Sequence, residues 1–576
     1  MTGTLRTLVA VLLPTLPLAL YACGDGTPPA PRSEAMEAGP FCEAAMTRVN
    51  DFMASARAAN PLPDGEGYGG TAVVGGITEL LSGMDAFHAV DVNQRQHQQY
   101  VNLMTLVQAD EELEMRPWLA ESWELSADGT ELTFHLRDDV LWHDGERTDA
   151  YDVAFTYLRA SDTGTAYPNP GAFGPYVEGD EAIEIVDSFT VRLRFEPHAE
   201  VLELWRVLGI MPEHLLADVP AAELAEHPFA TRCPVGNGPF VFLSHRQDES
   251  WTFEANPAFP EGLGGRPYLD RLVYRVVPEQ TTLLTELLAG NVDLYANVRP
   301  DQAGVVQEND GAELRVTEAR GFTFVAWNTR RPELEDARVR RALTMAVDRE
   351  AVVGALLQGY GTLARSGLPP FHWAFDEDLP GLDYDPAGAR TLLDQAGWAD
   401  RDGDGVRENQ DGSPLQLDLI FNAADQLRRA LAELMQAQLR EVGVDLTPVP
   451  LEGGAMRARA TDPGSRDFDG LLLEWIHDFK VDETDLFSGD GPFAFAGLQD
   501  PEVDALLAEL QTEVDRDGAR PLWSAYQSRI NELQPFTYLF FAQRLAGVSD
   551  RLQGVEADFR GFWVNVKDWR IAPSGR

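Results

Sequence analysis

The densest group of metal-binding side chains in this sequence is an acidic loop, DRDGDGVRENQD, over residues 400–411. Carboxylates at alternate positions and one backbone carbonyl supply the hard oxygen ligands that calcium takes, and Gly405 permits the sharp turn of such a loop. The pattern predicts a calcium site with these ligands: Asp400, Asp402, Asp404, Val406, Glu408 and Asp411. The alternative is an acidic turn in which Asp and Gly serve the backbone alone.

The loop differs from the paired calcium loops of switch proteins. Asp411 stands where a bidentate glutamate is usual, and its side chain is shorter. The segment LQLDLI that follows, residues 415–420, alternates as a strand does, and the sequence contains no second loop of this kind. We therefore expect a structural calcium ion rather than a calcium-driven switch.

Residue patterns typical of catalysis are missing from the sequence. It contains no G-x-S-x-G, no H-E-x-x-H, no Walker A motif and no dinucleotide-binding fingerprint. The ten histidines are scattered, and we expect His135 and His143, which flank a predicted hairpin, to be structural. The sequence predicts neither an enzyme nor a required cofactor.

The elements of the fold are clearest in residues 116–157. Alternating segments stand on either side of Asp128 and Gly129, a pair that favours a tight hairpin turn. Thr148 is the predicted N-cap of the helical run DAYDVAFTYLRA. Residues 181–195 alternate again and predict two further strands.

Composition limits the partners of the chain. The 576 residues include 44% hydrophobic residues, enough for a large core, and carry a net charge of −47. A surface of this charge repels nucleic acid and anionic membranes. We therefore expect no nucleic-acid partner, and contact with a membrane only through an anchor.

Several segments together resemble one protein family. They are LAESW, TFHLR and WHDG within residues 119–145, CPVGNGPF at 233–240, RVRRALTMAVDR at 338–349 and PEVDALL at 501–507. In this order they resemble the family 5 extracytoplasmic solute-binding proteins, the peptide, nickel and oligosaccharide receptors of ABC importers. The resemblance covers residues 70–569, and it implies a solute receptor.

The resemblance implies an α/β fold, a two-lobed periplasmic-binding-protein clamp with an additional third domain. The ligand would lie in the cleft between the lobes, which closes by hinge bending. The expected segments are a signal peptide at 1–22, a lipid tether and N-terminal extension at 23–67, lobe I at 68–110, 235–319 and 541–576, the additional domain at 111–234, and lobe II at 320–540.

The resemblance also implies where the ligand binds. In the family's peptide receptors a Trp-x-x-Asp after a lobe II strand brings a carboxylate to the peptide's α-ammonium group, and Trp475 and Asp478 match it. Such a charge-assisted hydrogen bond is about twice as strong as a neutral one. His477 and Asn328 are further candidate contacts.

The sequence departs from the family after Asp478. Lys480 follows closely and could neutralise the carboxylate, which would weaken an ammonium site. The alternative interpretation is that Asp478 caps a loop and that Trp475 belongs to the core.

The N-terminus predicts export from the cytoplasm. An apolar run over residues 8–20 is followed by Tyr21, Ala22 and Cys23, which resembles a bacterial lipobox and implies lipidation of the Cys23 sulfur. The alternative is an ordinary signal peptide cut near Ala22. We expect a periplasmic or cell-surface protein that is lipid-anchored to a bacterial membrane.

Two cysteines remain in the mature chain, Cys42 and Cys233. Outside the cytoplasm a pair of thiols can oxidise, and a disulfide would attach the N-terminal extension to the domain. The alternative is two separate buried thiols.

The first functional hypothesis is a monomeric receptor that captures peptides and delivers them to an ABC permease and ATPase complex. The second is a receptor of the same fold for a nickel chelate, haem or oligosaccharide. The third is a calcium-binding surface lipoprotein that acts as a scaffold.

Overall fold

The structure is a computed structural model that describes residues 39–62, 67–80, 84–89, 92–168, 173–177, 182–461, 466–477, 480–489 and 491–573. Residues 1–39 and 40–576 form separate units, and the description concerns the second. The predicted signal peptide and Cys23 therefore lie outside the described residues. Within the described ranges, no helix has the length and apolar character needed to cross a membrane.

The strands belong to three larger sheets and two short pairs. In chain order they are β1 Thr71–Gly76, β2 Val107–Ala109, β3 Met115–Pro117, β4 Ala120–Leu125, β5 Glu131–Leu136, β6 Ile183–Asp187, β7 Thr190–Arg194, β8 Phe240–Arg246, β9 Ser250–Ala255, β10 Arg271–Val276, β11 Leu294–Tyr295, β12 Ala312–Thr317, β13 Gly321–Trp327, β14 Gly361–Leu363, β15 Gln416–Asn422, β16 Asp445–Leu451, β17 Gly470–Ile476, β18 Phe536–Ala542, β19 Arg544–Ser549, β20 Leu552–Gln553 and β21 Arg570–Ile571.

The α-helices cover the sheets and range from single turns to five turns. They are α1 Pro40–Ala59, α2 Val92–His97, α3 Ala150–Ser161, α4 Gly174–Val177, α5 Glu213–Leu216, α6 Pro228–Thr231, α7 Gln280–Leu288, α8 Pro300–Gln307, α9 Ala337–Met345, α10 Arg349–Leu356, α11 Pro386–Gln395, α12 Gln426–Glu441, α13 Gly453–Thr461, α14 Thr484–Phe487, α15 Pro501–Thr512 and α16 Arg516–Leu533.

Two mixed sheets form the two lobes of the molecule. The seven-stranded sheet has the order β12-β19-β11-β1-β10-β9-β8, and we call the part built on it lobe I. The six-stranded sheet has the order β14-β18-β13-β17-β15-β16, and we call the part built on it lobe II. All seven residues of β13 are buried, because helices cover both faces of this sheet.

The chain passes between the lobes at two places. It leaves lobe I after β12 and enters lobe II at β13, and it returns between β18 and β19 at Gln543. β18 runs to Ala542, so lobe II extends two residues beyond the border predicted at residue 540. The two crossovers lie side by side because β13 and β18 pair, with Phe322 opposite Phe541.

A separate four-stranded sheet, β4-β5-β7-β6, lies in the segment predicted to form the additional domain. The predicted hairpin is confirmed: β4 and β5 are antiparallel, and Gly129 in the turn between them has φ +71°. The predicted N-cap is wrong by one residue. Asp149 caps α3 instead of Thr148: its carboxylate accepts from Tyr151 N at 2.8 Å, and its own backbone N–H donates to Asp152 Oδ2 at 3.0 Å.

Candidate functional site

A cavity of about 300 Å³ lies between the lobes, beside both crossovers. Lobe I contributes the loop after β11 and the start of β19, whereas lobe II contributes the start of β13 and the end of β17. Its walls are made of polar and apolar groups in nearly equal measure, and they include charged side chains. The lining residues are Asn297, Val298, Arg299, Pro300, Ala319, Gly321, Glu474, Ile476, Ala542, Gln543, Arg544 and Leu545.

The alternation of β17 decides which of its side chains reach this cavity. Successive side chains of a strand point to opposite faces, so Glu474 and Ile476 line the cavity while Trp475 points away from it. β13 runs antiparallel beside β17, with Gly321 opposite Ile476. A Cβ atom at Gly321 would come within 2.9 Å of both Glu474 Oε1 and Ile476 Cγ1, so a larger residue here would displace these two side chains.

Glu474 and Arg544 give the cavity one acidic and one basic group. The Glu474 side chain is 42% exposed, and its nearest cation is Arg428, with Nη2 3.8 Å from Glu474 Oε2. Removal from bulk water raises the pKa of the Glu474 carboxyl, and the charges of Arg428 and Arg544 oppose that shift. Burial lowers the pKa of the Arg544 guanidinium, and the Glu474 charge opposes it.

His477, the residue after β17, is buried and held by a network inside lobe II. Its Nε2 lies 3.1 Å from Glu483 Oε1, and the Tyr526 hydroxyl donates to Glu483 Oε2 at 2.7 Å. The His477 carbonyl accepts from Arg320 Nη1 at 3.1 Å. This network fixes the end of β17 between α16 and the first crossover.

Two other predicted ligand contacts lie inside lobe II. Trp475 is half-buried, and its ring centroid is 5.2 Å from that of Phe493. Asn328 is buried, and its amide nitrogen donates to the carbonyls of Arg466 at 3.1 Å and Phe468 at 2.9 Å. Both donors of Asn328 are thus engaged by the protein, and its contact with a ligand stays a prediction.

Asp478, the predicted ammonium-binding residue, lies outside the described residues. Lys480, which the sequence suggested as a competitor for it, has its Nζ 2.5 Å from Nε2 of His198. Burial lowers the pKa of the Lys480 ammonium. Burial and the Lys480 charge lower the pKa of His198 to about 4.

The acidic loop brings four of its predicted ligands together. One ligand atom each from Asp400, Asp402, Asp404 and Glu408 lies within 4.8 Å of the others. Gly405 has φ +92°, and its amide donates to Asp400 Oδ2 at 3.2 Å, which turns the chain around the carboxylates.

Asp411 is not a member of this carboxylate group. It follows Glu408 in an exposed turn whose backbone is fixed by the bridge between Glu408 and Pro414. The structure therefore brings together fewer calcium ligands than the sequence predicted. Coordination by the Val406 carbonyl stays a prediction.

A disulfide joins Cys42 in α1 to Cys233 after α6, with the Cα atoms 5.6 Å apart. The same helix is held by an ion pair, with Arg57 Nη2 2.6 Å from Glu254 Oε1. His143, expected to be structural, is buried, and its Nε2 lies 2.9 Å from the Gly238 carbonyl oxygen.

Sequence reasoning missed the charged groups of the cavity. Glu474 stands next to Trp475, and strand alternation alone would have shown that the two side chains point in opposite directions. Arg544 carries no such signal, because only the return of the chain to lobe I brings it to the cavity.

Comparison with known proteins gives a consistent result. Residues 114–494, about two thirds of the chain, match the family model described as bacterial extracellular solute-binding proteins, family 5 middle. The chain is 27% identical over 511 residues to the oligopeptide-binding protein AppA of Bacillus subtilis (88% of this chain, 92% of AppA). It is 27% identical over 463 residues to heme-binding protein A of Haemophilus influenzae (77% of this chain, 81% of that protein).

A solved structure supports the same relationship. Bacillus subtilis AppA in complex with a nonapeptide superposes with a TM-score of 0.71 at 25% identity. The match covers 88% of this chain and 99% of AppA. The similarity therefore extends over both lobes.

Proposed function

This chain belongs to the bacterial extracellular solute-binding proteins of family 5, and we propose that it captures peptides between its lobes and delivers them to the permease and ATPase of an ABC importer. The observation that carries the proposal is the interlobe cavity, since both lobes contribute to its walls. A ligand bound there contacts both lobes at once, so its binding free energy favours the closed clamp. The family consists of receptors, not of enzymes.

We propose that Asp478 binds the peptide's α-ammonium group and that His477 and Asn328 are further contacts. Trp475, whose side chain points away from the cavity and packs on Phe493, would contact only a part of the peptide that lies on the other face of β17. The network of His477, Glu483 and Tyr526 supports this assignment, because it fixes the backbone immediately before Asp478. A binding carboxylate needs such a rigid support to keep its geometry.

The test is calorimetric titration of the purified full-length protein with peptides of two to nine residues. We expect saturable binding that Asp478→Ala weakens about 10- to 100-fold, the loss expected for a hydrogen bond to a charged group. Asp310→Ala, an exposed change in lobe I, is the control and should leave the affinity unchanged. Failure of every peptide to bind would overturn the proposal.

A nickel chelate, haem or an oligosaccharide is the competing ligand class, and the similarity to heme-binding protein A favours keeping haem in the comparison. Mass spectrometry of small molecules released from the denatured protein separates these ligands from peptides. A scaffold lipoprotein without a solute would release none and bind none.

The acidic loop supports a structural calcium site in the same receptor. Asp400, Asp402, Asp404 and Glu408 converge, and their oxygen atoms suit calcium. Val406 would add its carbonyl, and Asp411 would bind only through rearrangement of its turn. Solute binding itself requires no cofactor in this proposal.

We place the receptor outside the cytoplasmic membrane, attached through a lipid on Cys23. Residues 20–23, LYAC, support this anchor because they resemble a lipobox. Two acyl chains on one protein are enough for stable attachment to a membrane. Metabolic labelling with a fatty acid should mark the protein and should fail for Cys23→Ala; labelling of both would contradict the anchor.

A further inference from the structure

A small hydrophobic cluster joins the two lobes at a place where the chain does not pass between them. Phe371 of lobe II and Phe559 of lobe I stack face to face, with ring centroids 4.3 Å apart and 11° between the ring planes. The cluster, which we call the bridging cluster, consists of Ala109, Leu113, Met115, Phe371, Trp373 and Phe559. Its buried members, Ala109, Leu113 and Phe559, belong to none of the larger cores.

One side of the bridging cluster is fixed to lobe I. Phe559 lies in a turn that α2 holds, because Gln96 Nε2 donates to the Arg560 carbonyl at 2.8 Å. Arg560 Nη1 in turn donates to the Ala109 carbonyl at 2.8 Å. The turn and the strand β2 that ends at Ala109 are therefore parts of one rigid unit.

Leu113 and Met115 lie at the start of the segment predicted to form the additional domain. The core of this segment is continuous with that of lobe I, since Phe134 of β5 and Val241 of β8 belong to the same hydrophobic core. Close packing of this kind transmits displacement from one element to the next. We therefore expect Leu113 and Met115 to move with lobe I.

The other side of the bridging cluster is fixed to lobe II. Phe371 and Trp373 lie in the loop between β14 and α11, and Gln527 Nε2 on α16 donates to the Ala374 carbonyl of this loop at 2.9 Å. The guanidinium carbons of Arg516 and Arg520, both on α16, lie 5.2 Å and 5.5 Å from the centroid of the Trp373 ring. These cation–π contacts and the hydrogen bond hold the loop on α16.

Rotation of the lobes away from each other would separate the two sides of the bridging cluster. Phe559 is only 7% exposed in the structure, and its stacked face would then meet water. Burial of apolar surface and the aromatic stack both favour the arrangement in which the lobes are together. No member of the bridging cluster lines the interlobe cavity, so this contribution involves no contact with a solute.

We propose that the bridging cluster is a closing latch, which strengthens the binding of every solute by the same factor. The inference rests on the proposed function, in which a solute binds between the lobes and favours the closed clamp. A solute that binds the closed state gains apparent affinity in proportion to the population of that state in the free receptor. The latch raises this population without regard to the chemistry of the solute.

The test is calorimetric titration of the full-length protein and of Phe371→Ala with two peptides of unlike side chains, tri-alanine and tri-lysine. Where either does not bind, the tightest-binding peptide of the series of two to nine residues takes its place. We expect Phe371→Ala to weaken both peptides by the same factor, about 3- to 10-fold, the loss expected for an aromatic pair. A residue that touches the solute would instead weaken the two peptides by different factors.

A double-variant cycle tests the contact itself. Phe559→Ala should weaken binding as much as Phe371→Ala does, and the double variant should lose little more, because either change alone removes the stack. Phe155→Ala is the matched control: it removes a half-buried phenylalanine on α3, away from the bridging cluster, and should leave both affinities unchanged.

Two further measurements separate the latch from a general loss of structure. Thermal melts establish that each variant is folded, and Phe371→Leu, which keeps apolar bulk without the ring, should show a smaller loss of affinity than Phe371→Ala. Small-angle scattering of the peptide-saturated variants should give the radius of gyration of the saturated wild-type protein, because a bound solute still closes the clamp.

The outcomes distinguish this proposal from the proposed function. If the wild-type protein binds peptides and Phe371→Ala leaves their affinities unchanged, or changes them by unequal factors, the latch is wrong and the peptide receptor stands. Additive losses in the double variant would also overturn the latch, because the two rings would then act independently. If the wild-type protein binds no peptide of any length, both proposals fall together.

Discussion

Arg516 and Glu200 form an ion pair that joins lobe II to the segment after β7, with Arg516 Nε 2.9 Å from Glu200 Oε1. Arg516 Nη1 also lies 2.8 Å from Glu114 Oε1, and its Nη2 donates to the Leu113 carbonyl at 2.9 Å. These bonds connect the start of α16 to two segments outside lobe II. Lobe II is therefore held to the segment predicted to form the additional domain, at a place where the chain does not pass from one to the other.

Replacement of Arg516 by Gln should weaken ligand binding without unfolding the protein. We expect these contacts to break when the clamp opens, so that they stabilise the ligand-bound state; a partly exposed ion pair contributes about 0.2–1 kcal/mol. We expect peptide affinity, measured by calorimetry, to fall about two- to fivefold.

Arg529→Gln is the control for this variant. Arg529 lies on the same helix, but its partner Asp500, 2.7 Å away, belongs to lobe II as well. This change should lower thermal stability and leave affinity unaltered. Equal affinity loss in both variants would contradict a role of Arg516 in closure.

Reduction of the disulfide should destabilise the protein. The bridge closes a separation of 191 residues, which in the chain-entropy model corresponds to about 5 kcal/mol. For a chain of this size we expect the melting midpoint to fall by about 5 °C in reductant. The Cys42→Ala/Cys233→Ala double variant should melt at the lower temperature with or without reductant. Identical midpoints for the oxidised and reduced wild-type protein would refute a stabilising bridge.

Calcium should raise the melting midpoint, and chelator should lower it. A ligand that binds only the folded state contributes about 2.7 kcal/mol at a concentration one hundred times its dissociation constant. Asp402→Asn should remove the calcium response, since Asp402 belongs to the converging group. Asp411→Asn is the matched control and should keep the response, because Asp411 lies outside that group. A wild-type midpoint indifferent to calcium would exclude the site.

Acid should destabilise the protein partly through His97. This ring is fully buried among Phe253 and Trp563, neither ring nitrogen has a hydrogen-bond partner in the described structure, and burial lowers the His97 pKa to about 3. Between about pH 3 and pH 6.5 the unfolded chain binds a proton here that the folded chain does not. Stability therefore falls as the pH falls, by about 2 kcal/mol from pH 6.5 to pH 5.

His97→Phe removes this proton-binding difference and keeps an aromatic ring in the core. The stability of the variant, measured by denaturant titration at several pH values, should decline less steeply towards acid than that of the wild-type protein. His135→Gln, a change at a half-buried histidine on β5, controls for the loss of a histidine as such. Parallel pH profiles for wild-type protein and His97→Phe would show that His97 does not contribute.

Local signals in the sequence were the most informative. The β4–β5 hairpin was predictable because Asp128 and Gly129 lie between two alternating segments, and the turn depends only on its neighbours. The N-cap of α3 was predicted at Thr148 and lies at Asp149, because both residue types can cap a helix and the two are adjacent. Asp149 is the cap because it forms a reciprocal pair of hydrogen bonds with Asp152, in which the side chain of each residue accepts from the backbone N–H of the other.

Relationships between distant parts of the chain were beyond the sequence. Glu474 and Arg544 are 70 residues apart, and they meet at one cavity only because β17, β13 and the return to β19 are arranged side by side. Glu483 likewise joins His477 and Tyr526 through a contact across 43 residues. Neither contact corresponds to a regular spacing or a motif in the sequence, so sequence patterns could not predict it.

The two places where the chain passes between the lobes lie side by side, and this has a consequence for engineering the receptor. Since Phe322 and Phe541 are neighbours, the whole of lobe II is an insertion whose two ends meet. Exchange of residues 321–542 with the equivalent segment of another receptor would require only two adjacent junctions. The cavity walls that lobe II contributes are thus portable as a single cassette, while those of lobe I stay with the rest of the chain.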